Sequence, residues 1–153
     1  MEPIEIDFES FEAYSQGLYI RDLNVPWLGG KVQIMIGTDE KAIPERQKEI
    51  IRFACQQPLS AKDILERRLY KEYKSEIYGS FSGGDKVTPR ISSPREIWKL
   101  ISAPGIKTPY EHWIKDSHYF VVTFECVWDP EHGLAVLYNS KGEIVKIGGQ
   151  GDF

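Results

Sequence analysis

The chain has 153 residues, of which 41% are hydrophobic and 27% are charged, and its net charge is −4 at pH 7. This size and composition predict a single domain, 1–153, with its own core, and they exclude a fibrous or disordered chain. The longest apolar stretch, Tyr119 to Trp128, is interrupted by Thr123 and Glu125. It is too short for a membrane span, which needs about 20 residues, so no membrane partner is expected.

The amino terminus and the cysteines indicate the compartment. The chain begins Met1-Glu2-Pro3 and shows neither the basic nor the apolar region of a signal peptide. Its two cysteines, Cys55 and Cys126, are too few for a disulfide framework and are expected to be buried free thiols. A cytoplasmic location is therefore expected.

Charge is unevenly distributed along the chain. Residues 1–24 contain six acidic side chains and one basic side chain, Arg21. The most basic segment, around Arg67 and Lys71, is interrupted by glutamates, which indicates a solvated helix face and no nucleic-acid site. A basic protein partner, such as a toxin, fits the charge better. The candidate partner-binding residues are Glu5, Asp7, Glu9 and Glu12.

The first half of the chain reads as strands followed by helices. Alternating apolar residues, among them Ile4, Ile6 and Phe8, predict antiparallel strands within residues 1–36. Residues 43–77 predict a helical pair that is separated at Pro58. The second helix carries an apolar stripe that we interpret as core, made of Leu65, Leu69, Tyr73 and Ile77.

The middle of the chain predicts a loop and a short helix. Residues 79–92 are rich in glycine, serine and threonine, and they are either a mobile or ligand-binding loop or, as we favour, a plain surface connection. A short helix is predicted over 93–101, ended by Pro104-Gly105. His112, Trp113 and Ile114 then begin another possible strand.

The last third predicts a β-meander within residues 112–147. Its main strands are Tyr119 to Trp128, Leu134 to Tyr138 and Glu143 to Ile147, joined by turns at 129–133 and 139–142. The glycine-rich end after Ile147 is interpreted as a flexible tail. The predicted fold class is α+β, an antiparallel sheet with a carboxy-terminal three-stranded meander packed against two or three helices.

Asp129, Glu131 and His132 are the weak candidates for catalysis or metal binding. Carboxylates and imidazoles are the groups that such sites use, and His112, His118 and Cys126 could join them. We favour a structural interpretation, with Asp129 bonded to backbone N–H groups of its turn and His132 either packed or beginning the next strand. No catalytic residue, metal or cofactor is therefore assigned, and Cys126 is expected to be buried and inert.

Two tryptophans, Trp113 and Trp128, could anchor a partner on a binding surface. Most tryptophans in a domain of this size serve its core, and we favour that interpretation for both.

Three segments resemble one known family: Glu125-Cys126-Val127-Trp128-Asp129-Pro130-Glu131-His132-Gly133-Leu134, then Val145-Lys146-Ile147-Gly148-Gly149, and the stretch from Ser92 to Ile106. The chain is similar there to small uncharacterised bacterial proteins with an E-C-x-W-D-x-E-H-G-L signature, a family with a domain of unknown function. The resemblance implies a domain type and carries no established activity.

Two functional hypotheses follow. The first is a non-catalytic protein-binding module, in its specific form an immunity protein that neutralises a toxin. The alternative is a metal-dependent hydrolase or small-ligand-binding protein that uses Asp129, Glu131 and His132.

Overall fold

A computed structural model describes residues 5–15 and 17–153, and its centre is a seven-stranded sheet. The strands follow one another across the sheet in chain order, and neighbours are antiparallel except for the parallel third and fourth strands. They are β1 (Glu12–Ser15), β2 (Leu18–Val25), β3 (Gly30–Gly37), β4 (Ile101–Thr108), β5 (Phe120–Cys126), β6 (Leu134–Tyr138) and β7 (Ile144–Gly148).

Two α-helices connect β3 to β4. Helix α1 (Glu45–Cys55) packs on β4 and β5, and helix α2 (Ser60–Glu72) continues into a π-helical turn, Tyr73–Ile77. Short 3-10 helices are formed by Phe8–Ser10, Pro26–Leu28, Gly84–Lys86, Pro94–Lys99, Glu111–Trp113 and Gln150–Asp152. The α+β prediction is confirmed, and the sheet is larger than the predicted meander.

The core lies between the helices and one face of the sheet. Ile34 of β3 and Ile106 of β4 are fully buried there together with Ile50 of α1. Leu65, Leu69 and Tyr73 are buried in the same core, as their spacing predicts. Burying each such aliphatic side chain contributes roughly 1.5–3 kcal/mol to folding before the loss of chain entropy is counted.

One buried polar side chain joins the helical layer to the sheet. Gln47 of α1 is fully buried, and its Nε2 group donates to the carbonyl oxygen of Gly37 at 2.6 Å. The same group donates at 3.0 Å to Thr108 Oγ1 and to the carbonyl oxygen of Pro109. Gln47 thus binds the ends of both parallel strands to α1.

The amino-terminal strand prediction is partly wrong. Phe8, expected in a strand, begins a 3-10 helix in which Asp7 Oδ1 accepts from the backbone N–H of Glu9. Phe8 is buried with its ring stacked on that of Phe11, and the edge strand β1 begins only at Glu12. Ile4 lies outside the described residues.

Strand β4 is the largest departure from the sequence prediction. The helix expected over 93–101 is a 3-10 helix that ends at Lys99, and the chain enters β4 at Ile101 and passes through Pro104. Proline has no N–H to give to a sheet, and β4 accommodates it in a bulge between Ser102 and Gly105.

A second correction concerns the segment after β4. His112 and Trp113, expected to begin a strand, belong to the 3-10 helix Glu111–Trp113, which starts after Pro109 at the end of β4. The chain has left the sheet there, so these residues have no strand to pair with.

The carboxy-terminal meander of β5, β6 and β7 is confirmed in order and direction. Gly133 and Gly142 close its two turns with φ angles of 67° and 80°, the left-handed region that glycine adopts without strain. The prediction of a flexible tail is wrong, because both the side chain and the main chain of Gln150 form hydrogen bonds to the domain. Its Nε2 donates to Phe124 O at 2.8 Å, and its N–H donates to His132 O at 2.9 Å.

The 79–92 loop is attached to the domain. The hydroxyl of Tyr73 donates to the carbonyl oxygen of Pro89, and the buried Thr88 accepts from the N–H of Gly79.

Among the helices in the described part of the chain, none combines the length and the apolar character needed to cross a membrane.

The sheet face opposite the α-helices is here called the open face. The strand register aligns Met35, Lys107, Val121, Leu137 and Lys146 in one row across it. A small second cluster forms on this face, where Val121, Ala135 and Leu137 are buried and Phe153 packs against them.

Gly105 of β4 lies on the open face, and we expect Gly105→Ala to destabilise the domain. An added Cβ would lie 2.6 Å from Thr123 Oγ1 and 3.3 Å from the Gln33 carbonyl oxygen. Overpacking of this kind costs about 1–3 kcal/mol, which urea unfolding would measure. The matched control is Gly151→Ala, whose Cβ would have no atom within 4 Å and which should change stability by less than about 0.5 kcal/mol. Equal stability of the two variants would contradict the close approach.

Candidate functional site

The turn between β5 and β6 brings Asp129 and His132 together. Asp129 Oδ1 accepts from the backbone N–H of His132 at 3.1 Å, and the Asp129 carbonyl accepts from the N–H of Gly133 at 2.9 Å. The turn-forming role expected for Asp129 is confirmed. The His132 side chain is not packed, because 69% of it is exposed.

The imidazole of His132 forms an exposed pair with the same carboxylate. Its Nδ1 lies 3.0 Å from Oδ1 and 3.1 Å from Oδ2 of Asp129. This hydrogen bond, followed by the negative charges of Asp129 and Glu131, raises the pKa of His132 above its ordinary value of 6.5. The pair therefore favours the protonated form of His132.

The remaining histidines lie elsewhere. His112 is exposed and contacts the rings of Tyr110 and Trp113, whereas His118 is partly buried beside a cavity on the open face. Across residues 5–15 and 17–153, no three His, Cys, Asp or Glu residues form a group that could hold a metal ion. The structure joins Asp129 to His132 and does not bring His112 or His118 to them.

Both cysteines are buried free thiols, as expected. Burial raises the pKa of Cys55 to about 12 and that of Cys126 to about 11. The thiol of Cys126 also donates to the carbonyl oxygen of Asp129 at 3.6 Å. A thiol with such a pKa is almost entirely protonated at neutral pH and is a poor nucleophile.

The acidic residues of the amino-terminal region lie on and beside the edge strand β1. All four residues of β1 are exposed, and Tyr14 is 76% exposed. Arg21 donates to the main-chain oxygen of Asp7. We call this surface the acidic edge, and it consists of Glu5, Asp7, Glu9, Glu12 and Tyr14.

A cavity of about 470 Å³ lies at the ends of β3 and β4, on the open face. Gly37 and Thr108 line it where the two parallel strands end, and Leu18 and Met35 contribute apolar walls. The ring of Tyr110 lies against Gly37, where an added Cβ would be 3.0 Å from the ring. The cavity has the size of a small-molecule site, which usually measures about 300–1,000 Å³.

Two basic groups line this cavity. Lys107 Nζ donates to the main-chain oxygen of Phe153, the last residue of the given sequence, at 2.9 Å and to the carbonyl oxygen of Gln150 at 3.3 Å. Partial burial lowers the pKa of its ammonium group. Burial also lowers the pKa of His118 below 6.5, and the charges of Lys115 and Lys107 act in the same direction. His118 is therefore largely neutral at pH 7.

Sequence reasoning missed this cavity and misassigned one of its residues. Trp113 was expected in the core, but it is 62% exposed and lines the cavity. Trp128 is buried, as expected. The lysine beside the buried Ile106 could have marked this site, but β4 itself is absent from the sequence prediction.

A family model described as a domain of unknown function, DUF6985, matches residues 5–153. The chain belongs to this family. The match includes both the turn of Asp129 and the open-face cavity, so both are parts of the DUF6985 domain. No curated protein and no solved structure matches the chain.

Asp129→Asn should lower the pKa of His132 in the DUF6985 domain towards 6.5, because it removes the negative charge beside the imidazole. An asparagine oxygen can still accept the backbone N–H of the turn. His118, whose pKa is lowered by other groups, serves as the internal control in an NMR pH titration.

The pair also predicts how stability depends on pH. Because the pKa of His132 is raised on folding, its pairing with Asp129 stabilises the folded state. This stabilisation is complete below about pH 6.5 and is lost as pH rises through the raised pKa. The difference in melting temperature between wild type and Asp129→Asn should therefore be larger at pH 5.5 than at pH 8.5. A wild-type His132 that titrates at or below 6.5 would contradict this pairing.

Proposed function

We propose that this domain is a non-catalytic protein-binding module that docks a basic protein on its acidic edge. The observation that carries the proposal is Tyr14, an aromatic side chain with 76% of its surface exposed on an uncovered edge strand beside exposed carboxylates. Tyrosines of this kind are common anchors of protein interfaces, and surrounding charges select a complementary partner.

The carboxylates of the acidic edge are available to a partner. Among the described residues, the ion pairs are Lys31–Asp22, Arg52–Glu45 and His132–Asp129, and none includes Glu5, Glu9 or Glu12. The nearby cations Lys48 and Arg52 lie over the ring of Phe8. Asp7 has a different role, because its carboxylate accepts from the N–H of Glu9 and shapes the turn.

The acidic edge is suited to docking by side chains more than to strand addition. Strand β1 has only four residues, and its pairing with β2 is irregular between Ala13 and Ser15. Short, irregular and charged edge strands resist pairing with another strand. The partner surface would therefore offer a recess for Tyr14 with lysine or arginine around it.

In its specific form, the proposal is a bacterial immunity protein that acts in the cytoplasm. Such a protein neutralises a toxin by binding it, and a basic toxin would complement the acidic edge.

Charge reversal on the acidic edge, or removal of the Tyr14 ring, should weaken partner binding. We expect the double variant Glu9→Lys, Glu12→Lys and the single variant Tyr14→Ala each to weaken partner affinity about tenfold or more. The measurement is quantitative affinity capture from the host, followed by titration of the captured protein at low and high salt. Weaker binding at high salt is expected for wild type.

The matched control is Glu49→Lys, Glu76→Lys, which changes net charge equally at exposed sites on α1 and in the π-helical turn. It should retain the partner. The proposal is wrong if edge variants and control capture the same proteins in the same amounts, or if wild type captures no basic protein.

The alternative is a metal-dependent hydrolase or small-ligand-binding protein that uses Asp129, Glu131 and His132. One observation supports it, the 3.0 Å contact between Asp129 and His132. A zinc site generally needs at least three protein ligands. We therefore expect no stoichiometric metal in untagged protein and no change in melting temperature on chelation. Bound zinc that is lost in His132→Ala, with a melting temperature lowered by chelator, would favour the alternative.

A further inference from the structure

An exposed tryptophan stands at the rim of the open-face cavity. Trp113 lines this cavity, and 62% of its surface is exposed. Its ring belongs to a row of three aromatic side chains, because the ring of His112 lies 6.0 Å from that of Tyr110 and 5.4 Å from that of Trp113. A large apolar ring at the rim of a cavity gains free energy when a ligand covers it. Trp113 therefore indicates the kind of molecule that the cavity binds.

A second aromatic ring lies on the sheet because of a glycine. Tyr110 also lines the cavity, and a Cβ added to Gly37 would be only 3.0 Å from its ring. Since Gly37 has no side chain, the ring can lie directly on the end of β3. Tyr110 and Trp113 together give the cavity an aromatic wall. The rings of an aromatic ligand pack on such a wall in offset or edge-to-face arrangements.

The other walls of the cavity are mainly aliphatic. Leu18, Met35, Pro109 and Val121 line it, and the ring of Phe153 packs against the small cluster that includes Val121. An apolar cavity of about 150 Å³ accommodates one benzene ring. The volume of about 470 Å³ therefore leaves room for a molecule with fused rings.

The charged groups of the cavity do not favour an ion. Lys107 and Asp152 line it and carry opposite charges. Lys107 Nζ donates to the main-chain oxygens of Gln150 and Phe153. The Asp152 carboxylate accepts from the N–H of Gly149 at 2.8 Å. An ionic ligand would lose its water and would meet a like charge whichever sign it carried, and an uncharged ligand avoids both costs.

His118 supplies a polar contact without a full charge. Its imidazole lines the cavity, and burial, followed by the charges of Lys115 and Lys107, lowers its pKa below 6.5. A neutral imidazole has one N–H donor and one acceptor nitrogen. The acceptor nitrogen can bind a hydroxyl or N–H group of a ligand.

We propose that this cavity binds a small uncharged aromatic molecule with fused rings and one hydroxyl or N–H group. The rings pack on Trp113 and Tyr110, and the polar group donates to the imidazole of His118. This proposal is independent of the acidic edge, since the two sites share no residue among those described.

The test is a binding titration by calorimetry at pH 7 with probes of matched size. The expected type of ligand is 2-naphthol. Its rings are kept with a negative charge in 2-naphthoate and with a positive charge in 2-naphthylmethylamine, whereas 2-decalol keeps the hydroxyl on saturated rings. We expect wild type to bind 2-naphthol about tenfold or more tightly than either ion. The preference over 2-decalol should be about threefold or more.

Two variants test the assigned contacts. Trp113→Ala should weaken the binding of 2-naphthol about fivefold or more, because it removes one side of the aromatic wall at an exposed position. His118→Phe keeps a ring and removes the acceptor nitrogen. It should therefore reduce, about threefold, the ratio of the affinity for 2-naphthol to that for 2-methylnaphthalene, which has no hydroxyl.

The matched control is Tyr14→Ala, because Tyr14 is 76% exposed and lies outside the cavity lining. It should keep the wild-type affinity for 2-naphthol while it weakens partner binding at the acidic edge, so the two proposals fail separately. The cavity proposal is overturned if wild type does not bind 2-naphthol, or if either ion or 2-decalol binds as tightly. Equal binding by Trp113→Ala and Tyr14→Ala, or an unchanged ratio in His118→Phe, would overturn it too.

A second measurement requires no variant. In NMR spectra of wild type, bound 2-naphthol should shift the indole signal of Trp113 and the imidazole signals of His118. The indole signal of Trp27, which is buried and donates to the Ala54 carbonyl in the main core, should not move. Unchanged Trp113 and His118 signals at saturating 2-naphthol would contradict the proposed position of the ligand and overturn the proposal.

Discussion

The parallel pairing of β3 with β4 is the constraint on which the rest of this structure depends. The chain leaves the sheet after Gly37, forms both α-helices, and returns beside the strand it left. Gln47 secures this return, since its amide donates to Gly37 on one strand and to Thr108 and Pro109 at the end of the other. Gln47 is fully buried, and three acceptors lie within 3.0 Å of its amide nitrogen, so its replacement would be costly.

This crossover also determines where a ligand can be held. The α-helices cover one face of the sheet, so the other is left to the carboxy-terminal segment and to the chain that follows β4. The cavity opens where the two parallel strands end, which is the usual place for ligand sites in sheets with parallel strands. Lys107, Trp113 and His118 come from different elements and meet only there.

The carboxy-terminal segment connects the turn of Asp129 to the open-face cavity. Gln150 accepts from Lys107 on the cavity side, and its own N–H donates to the carbonyl oxygen of His132 on the turn side. Its side chain also donates to Phe124 of β5. The turn of Asp129 is thus part of the framework that supports the open face.

The sequence by itself determined the features that depend on local chemistry. Tyr73 belongs to the core because of its helical spacing, and the turns at Gly133 and Gly142 follow from short polar residues and from glycine's access to positive φ. Only the tertiary structure decided β4, because Pro104 argues against a strand until a bulge removes the need for its N–H. It also decided the positions of Lys107 and Trp113, since a cavity wall is made by residues distant in sequence and no local pattern records which of them meet.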